Sequence, residues 1–148
     1  MKNILVAIED CEATTIASPI IKHVLELAGA FSSKVWLVHV VPHPGPTPFN
    51  IDREVLRREV AAEYCHEHDF LQHLAQCLRD RGIDASSLLV EGTPAASLLE
   101  EASHRKADLV MLGCHRHGVS YGVVLDTTEE GMLGKCRCPI MFIPVVEG

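Results

Sequence analysis

The residues best suited to chemistry follow one apolar run in the second half of the chain. The run extends from Leu109 to Leu112 and ends at Gly113, and four side chains able to bind a metal or an anion come next: Cys114, His115, Arg116 and His117. A continuous apolar run of this length is typical of a strand buried on both faces of a parallel sheet. In open α/β sheets the loops after such strands form the ligand crevice, and the following helix offers unpaired N–H groups to an anion. We therefore predict a small-molecule site at this loop.

Sulfur ligands occur again at Cys136 and Cys138, which are separated by one residue. On a strand, two such side chains point to the same face. With Cys114 and His115 they provide four donors for a zinc ion, but this spacing lacks the C-x2-C pairs of common structural zinc sites. The spacing favours the alternative, in which these cysteines are small buried apolar side chains.

Length, charge and hydropathy limit the classes of function. The chain has 148 residues, of which 47% are hydrophobic, and this predicts a single domain over residues 1–148. Its 13 basic and 20 acidic residues give a net charge of −7, which argues against nucleic acid and anionic membranes as partners. No apolar run approaches the roughly 20 residues of a membrane-spanning helix, and the first apolar segment is too short for a signal peptide. We expect a cytoplasmic protein with reduced thiols.

Short apolar runs alternate with segments of helical periodicity along the chain. The runs predict five strands, at residues 3–8, 35–41, 87–90, 108–112 and 139–145. Helices are predicted over about 15–31, over about 52–81, after Thr93, and from Asp126 or Thr127. This order predicts an α/β fold with a five-stranded parallel sheet and helices on both faces.

Local signals refine several of these elements. Ser18 is the expected N-cap of the first helix, with Pro19 in its first turn, and Gly82 is the expected stop of the second. Pro144 predicts that the last strand lies at an edge of the sheet. The inner face of the third helix, which Thr93 caps, is predicted to carry Ala96, Leu99 and Ala102.

Two groups of titratable side chains each allow two interpretations. His39 interrupts the second strand, and a core histidine hydrogen-bonded to the backbone is favoured over a catalytic one because no partner nucleophile is visible. On the long helix, the apolar stripe is predicted to include Tyr64, Leu71 and Leu74, with Glu67 off it. Another flank of that helix carries potential metal ligands four residues apart, but a solvated polar flank is favoured for these residues: Cys65, Asp69, His73 and Cys77.

Five segments together carry a resemblance to a known family. They are ILVAIEDCE, LVHVV, VEGTPAASLLEEA, ADLVMLGCHRHG and CPIMFIPV, in this order. Over essentially its whole length the chain resembles a universal stress protein of the short, single-domain type. The resemblance implies the adenine nucleotide alpha hydrolase-like fold, with strand order 3-2-1-4-5, and a homodimer joined through the fifth strand.

The resemblance also implies a nucleotide site, because some members bind ATP through the motif G-x2-G-x9-G-(S/T). Here the first glycine is Gly113, whereas the second falls on Arg116 and the third on Asp126, followed by Thr127. The family's acidic residue after the first strand corresponds to Glu9, and its usual proline two positions earlier to Ala7. Contacts to the adenosine half are implied at two further positions, Val40 and Leu112.

The altered motif weakens the expectation of ordinary ATP binding. An aspartate about 4 Å from a phosphate costs on the order of 4 kcal/mol at an effective dielectric of 20, before solvent and salt weaken the repulsion. Asp126 also begins a capping-box pattern, so it is expected to occupy helix N–H groups that a phosphate would take. Arg116 opposes this by offering positive charge. We therefore predict that ATP binds weakly and that replacing Asp126 and Arg116 by glycine improves binding.

Three classes of function follow from the sequence. The first is a dimeric regulatory or interaction module with a degenerate nucleotide site. The second is a family member that binds an adenine nucleotide, either AMP or ATP. The alternatives for the cofactor are therefore AMP, ATP or none. The third is a metal-binding or nucleotide-hydrolysing protein that uses the Cys/His cluster, but no Ser-His-Asp, paired-carboxylate or H-E-x-x-H pattern supports it. We therefore expect no enzymatic activity and a second copy of the chain as the partner.

Overall fold

Six strands and three helices make up the part of the chain that the structure describes. The structure is a computed structural model, and it describes residues 1–41, 53–115, 118–119 and 135–144. In chain order the elements are β1 (Asn3–Ala7), α1 (Pro19–Phe31), β2 (Lys34–Val41), α2 (Arg53–Asp80), β3 (Asp84–Glu91), α3 (Pro94–His104), β4 (Leu109–His115), β5 (Gly118–Val119) and β6 (Ile140–Pro144). The helix predicted from Asp126 or Thr127 lies outside the described residues. None of the described helices combines the length and hydropathy needed to cross a membrane.

The sheet is built around β1, which pairs in parallel with β2 on one side and β4 on the other. β3 pairs in parallel with β2, and β6 pairs in parallel with β4. The parallel strands therefore follow the order β3-β2-β1-β4-β6, and β6 corresponds to the fifth predicted strand. The predicted sheet and its order 3-2-1-4-5 are confirmed. Side chains of β1, β2 and β4 are buried on both faces of the sheet, which explains why the sequences of these strands are nearly continuous apolar runs.

One strand was not expected from the sequence. β4 continues to His115, three residues beyond its predicted end, and β5 pairs with it antiparallel through Cys114↔Val119 and His115↔Gly118. The described residues after Gly113 therefore belong to antiparallel strand pairing rather than to an open loop. A two-residue strand has no periodicity of its own, so only the pairing reveals it.

Helices cover both faces of the sheet, as predicted. Successive strand residues point to opposite faces, so Ile4 and Val6 pack on one side while Leu5 and Ala7 pack on the other. We call the first group the α1/α2 cluster, because it includes Ile21 and Val24 of α1 and, from α2, Leu71, Leu74 and Leu78. The second is the α3 cluster, which includes Ala95, Leu98 and Ala102 of α3.

The ends of the helices agree with the local signals. Ser18 is the N-cap position of α1 and Pro19 its first residue, but the Ser18 hydroxyl accepts a hydrogen bond from the Thr15 N–H at 2.9 Å instead of capping the helix. Thr93 and Pro94 begin α3 in the same way, without a side-chain cap. Gly82 has a φ of +83°, the left-handed conformation that ends a helix, directly after α2.

The predicted inner face of α3 is correct at Ala102 and is displaced by one residue at its other two positions. Ala95, Leu98 and Ala102 are buried against the sheet, Leu99 is half-buried and Ala96 is exposed. The sequence contains two neighbouring small-and-apolar stripes on this helix, and their periodicity is equally good. Docking on β2 and β4 decides which stripe is buried.

Candidate functional site

A cleft of about 670 Å³ opens at the carboxyl ends of β1, β2 and β4. It lies between the segment after β1, the first turn of α1 and the middle of α2. Its described walls are residues 7–14 and 18–20, together with His39, His66, Glu67, Phe70 and Gly113. This is the edge at which the sequence predicts a ligand crevice, because the carboxyl ends of parallel strands meet there.

The structure brings together three of the eight predicted site residues. Ala7, Glu9 and Gly113 all line the cleft, although 104 positions separate Glu9 from Gly113. Val40 and Leu112 are buried in the α3 cluster on the other face of the sheet and are not among the described walls. The other three, Arg116, Asp126 and Thr127, lie outside the described residues, so their part in the site stays a prediction.

The described walls of the cleft are acidic. Four of their side chains are carboxylates, Glu9, Asp10, Glu12 and Glu67, and no described wall residue is a lysine or an arginine. Asp10 also shapes the loop after β1, since its side-chain Oδ1 accepts the Ala13 N–H at 3.0 Å and its carbonyl accepts the Thr14 hydroxyl at 2.6 Å. The cleft therefore presents a concentration of negative charge within a chain that is already acidic.

His39 connects three elements at the floor of the cleft. It is 7% exposed, its Nδ1 lies 2.7 Å from the carbonyl oxygen of Ile8, and its Nε2 lies 3.1 Å from Oε2 of Glu67 on α2. The predicted backbone-bonded core histidine is thus confirmed, and the contact with Glu67 is an addition to it. The His39 side chain of β2 thus contacts both the residue that follows β1 and the middle of α2.

The protonation of His39 follows from its two partners. A carbonyl oxygen only accepts, so Nδ1 must carry a proton and donate to Ile8. The second hydrogen bond, to Glu67, then requires a proton on Nε2 or on the carboxyl group itself. The contact is therefore a hydrogen bond between the two side chains, and it is an ion pair only in the form in which His39 carries both ring protons.

Cys11 completes this region as a buried thiol in the cleft wall. Burial, reinforced by the negative charges of Glu67 and Asp10, raises the pKa of Cys11 from 9.0 to about 12. A thiol with such a pKa is neutral at physiological pH, and the thiolate is the nucleophilic form. Cys11 therefore acts as a packing residue of the α1/α2 cluster and not as an activated nucleophile.

Comparisons with known proteins identify the family. The chain matches the universal stress protein family across residues 1–144. It belongs to the universal stress protein family. A universal stress protein of Methanocaldococcus jannaschii is 22% identical over 128 residues, which cover 82% of this chain and 71% of that protein.

Solved structures of universal stress proteins share the fold of this chain, which is adenine nucleotide alpha hydrolase-like. UspA from Lactobacillus plantarum is 20% identical, with a TM-score of 0.69 and coverage of 96% of this chain and 97% of that one. A universal stress protein from Archaeoglobus fulgidus in complex with dAMP is 18% identical, with a TM-score of 0.62 and coverage of 97% and 98%. Other structures of the family contain AMP, in a protein from Arabidopsis thaliana, and cAMP.

The four-ligand zinc site considered from the sequence is wrong for this universal stress protein. The register of β6 places Ile140 beside Val110 and Pro144 beside Cys114. Cys114 thus lies at the carboxyl end of the sheet, while Cys136 and Cys138 precede β6 at its amino end. Four residues of strand separate these levels by about 13 Å, too far for one ion to bind all of them. The two later cysteines also lie in a loop, not on a strand.

The polar flank of α2 is solvated, as favoured from the sequence. Cys65, Asp69 and His73 are exposed, and Cys77 is half-buried with its Sγ 3.7 Å from Nε2 of His73. Across residues 1–41, 53–115, 118–119 and 135–144, no group of three or more potential ligands is arranged to hold a metal ion.

The contribution of α2 to the cleft was missed from the sequence. Glu67 was placed off the buried stripe, but it precedes Leu71 by four residues and Leu74 by seven, so it lies on the same face of the helix. Phe70 and His66 accompany it, with their rings in edge-to-face contact at 4.8 Å between centroids. The helical spacing was a sufficient signal for the face, whereas the proximity of Glu67 to His39, 28 positions away, required the fold.

Proposed function

We propose that this protein is a dimeric regulatory module whose cleft is a degenerate nucleotide site, one that accepts adenosine or AMP more readily than ATP. The observation that carries the proposal is the charge of the cleft, with four carboxylates and no lysine or arginine among its described walls. The adenine nucleotides bound to structures of related fold support the class of ligand. Binding without chemical turnover and a cytoplasmic location are parts of the same proposal.

The walls of the cleft suit the nucleoside better than a polyphosphate. Phe70 is half-buried and supplies aromatic surface that a purine ring can cover, and the buried Ile8 and Ile20 also line the cleft. Each added phosphate brings negative charge towards Asp10 and Glu12, and one such contact at about 4 Å costs on the order of 4 kcal/mol at a dielectric of 20, before screening. The free energy of binding should therefore become less favourable from AMP to ATP.

Calorimetric titration with adenosine, AMP and ATP, in low and in moderate salt and with and without Mg²⁺, tests this proposal. We expect AMP and adenosine to bind more tightly than Mg²⁺-free ATP, and the difference to shrink as salt rises. Chromatography of ATP incubated with the protein should show no formation of ADP or AMP. Tight binding of Mg²⁺-free ATP would contradict the proposal, as would measurable turnover.

The altered phosphate motif provides a second test of the same site. Changing Asp126→Gly and Arg116→Gly together should strengthen ATP binding, since a charge is removed and the backbone can approach the phosphates. Each single change separates the two effects, because only Asp126→Gly should favour ATP over adenosine more strongly at low salt. If the wild type binds ATP tightly and Arg116→Gly abolishes this, Arg116 is a replacement phosphate ligand and the site is not degenerate.

The dimer part of the proposal rests on β6. Among the described residues β6 pairs with β4 alone, so its other edge offers unpaired backbone groups. Ile140, Met141 and Phe142 are half-buried apolar residues on this edge strand, and Pro144 is exposed. We expect sedimentation at micromolar concentration to show about twice the 16.2 kDa of the chain, and Phe142→Lys to shift it to monomer. A wild-type monomer under these conditions would overturn this part.

A further inference from the structure

Two cysteines face each other at the amino end of the sheet, far from the cleft. The Sγ atoms of Cys136 and Cys138 are 3.6 Å apart, and both side chains are half-buried. They lie in the loop before β6 and line a cavity of about 390 Å³ beside the last turns of α3. Leu99 and Ala102 form its apolar wall, and the loop contributes the cations Lys135 and Arg137.

We propose that Cys136 and Cys138 form a two-sulfur site for a soft monovalent cation of the Cu(I) type. Thiolate sulfur is the ligand that such cations select, in preference to oxygen and nitrogen donors. Structural zinc needs four ligands, and the described residues place no third metal ligand with this pair. A cation that accepts two sulfurs therefore fits the pair, and one that requires four does not.

The geometry of the pair allows two bonds to one ion. Metal–sulfur bonds of about 2.3 Å, as for zinc, span at most about 4.6 Å when linear. The observed 3.6 Å corresponds to a bent arrangement, and widening it by up to about 1 Å gives the linear one. Residues 135–139 belong to no helix or strand, so this adjustment disturbs no ladder of the sheet.

Charge balance supports a monovalent cation at this position. When both thiols bind, two S–H bonds break, two metal–sulfur bonds form, and two protons pass to solvent. Two thiolates and one monovalent cation leave a net charge of −1. Lys135 and Arg137 alternate with the cysteines along the chain, line the same cavity and are exposed, so they can approach this anion at little cost in desolvation.

Anaerobic titration of the reduced protein with Cu(I), against bicinchoninate as a competing chelator, tests the site. We expect one high-affinity Cu(I) per chain. Cys136→Ser and Cys138→Ser should each weaken it by at least about 100-fold, because each removes one of the two sulfur ligands and even the loss of a residue that only orients a ligand can cost this much. Cys65→Ser and Cys77→Ser on α2 are matched controls, since they remove a thiol elsewhere, and they should leave the affinity unchanged.

A readout on the wild type keeps the test independent of how the variants fold. Bound Cu(I) should protect Cys136 and Cys138, and not the exposed Cys65, from alkylation by iodoacetamide followed by mass spectrometry. The proposal would fail if both serine variants kept the wild-type affinity, if no protection occurred, or if Zn²⁺ bound this pair more tightly than Cu(I). None of these outcomes depends on whether a nucleotide binds the cleft.

Discussion

At the carboxyl end of the sheet the cleft is lined by four carboxylates, whereas at the amino end the cavity beside Cys136 and Cys138 carries Lys135 and Arg137. Both depressions lie on the same sheet, and β4 runs between them. The difference shows that the net charge of −7 is not spread evenly. The two ends of the strands therefore differ in local charge, and the net charge of the whole chain predicts neither of them.

The thiols at the two ends differ in the cause of their behaviour as well. Burial raises the pKa of Cys11 to about 12, helped by the carboxylates of Glu67 and Asp10. Burial also raises the pKa of Cys138, to about 11, but there the next cause is its hydrogen bond with Cys136. Burial is thus the largest cause at both thiols, and the second cause is negative charge at Cys11 and a second sulfur at Cys138.

The largest effect is expected from breaking the contact between His39 and Glu67 at the carboxyl end. His39→Leu should lower the free energy of unfolding by about 2–3 kcal/mol, because the Glu67 carboxyl group and the Ile8 carbonyl each lose the hydrogen bond that His39 makes. Urea unfolding at pH 7 measures this. Glu67→Gln is the control, since its amide can still donate to Nε2 of a neutral His39 and should cost less. Equal stability of wild type and His39→Leu would mean that the pair is not a structural link.

The next effect is the pH dependence of the stability that the buried Cys11 thiol provides. The folded state retains the Cys11 proton up to about pH 12, whereas the unfolded chain releases it near 9.0, so the stability due to this thiol is complete below pH 9 and falls above it. The slope is at most about 1.4 kcal/mol per pH unit. Urea unfolding at pH 8, 9.5 and 10.5 should show the advantage of wild type over Cys11→Ala shrinking. An advantage that grows with pH would reverse the assignment.

A smaller effect is expected when the acidity of the cleft is reduced. Glu12→Lys should strengthen ATP binding by about threefold, which is the usual size of an interaction between two exposed charges. Adenosine has no charge to interact with this position, so its binding should change little. Glu100→Lys on α3 makes the same change of charge at an exposed position that does not line the cleft. Isothermal calorimetry of both variants distinguishes local from global charge. An equal gain in both would show that only the net charge matters.

The smallest effect at neutral pH concerns Asp108, near the amino end of the sheet. Its Oδ2 accepts the N–H groups of Asn3 and Lys2 at 2.9 and 2.7 Å, and these hydrogen bonds lower its pKa below 3.8. The stability that its charge provides is therefore present above pH 3.8 and is lost as pH falls through the lowered value. Asp108→Asn keeps an acceptor oxygen, so thermal unfolding at pH 7 should change little while the loss of stability in acid becomes less steep. A steeper loss would contradict the assignment.

Much of the fold could be predicted because it depends on local patterns. Five apolar runs predicted the five parallel strands, and Ser18, Pro19 and Gly82 marked helix ends through backbone preferences that act within a few residues. The strand order came with the family resemblance. β5 escaped prediction because its two residues gain their conformation only by pairing with β4.

The position of the cleft could be predicted from the sequence, but only some of the residues that line it could. Buried strands that end in loops mark the edge of a sheet where a ligand can bind, and Ala7, Glu9 and Gly113 were found there. Glu67, by contrast, reaches His39 only because α2 packs across β2, a contact between segments far apart in the chain. Helical spacing shows which face of α2 is buried, but not which strand it meets.

Hydrophobic periodicity and backbone preference, which act over a few residues, thus determined the five parallel strands, most helix boundaries and the edge that carries the cleft. Tertiary structure alone decided the phase of α3, the contact of His39 with Glu67, and the separation of Cys114 from Cys136 and Cys138. The physical reason is that these features depend on register and docking between elements, and a shift by one residue changes which side chains meet.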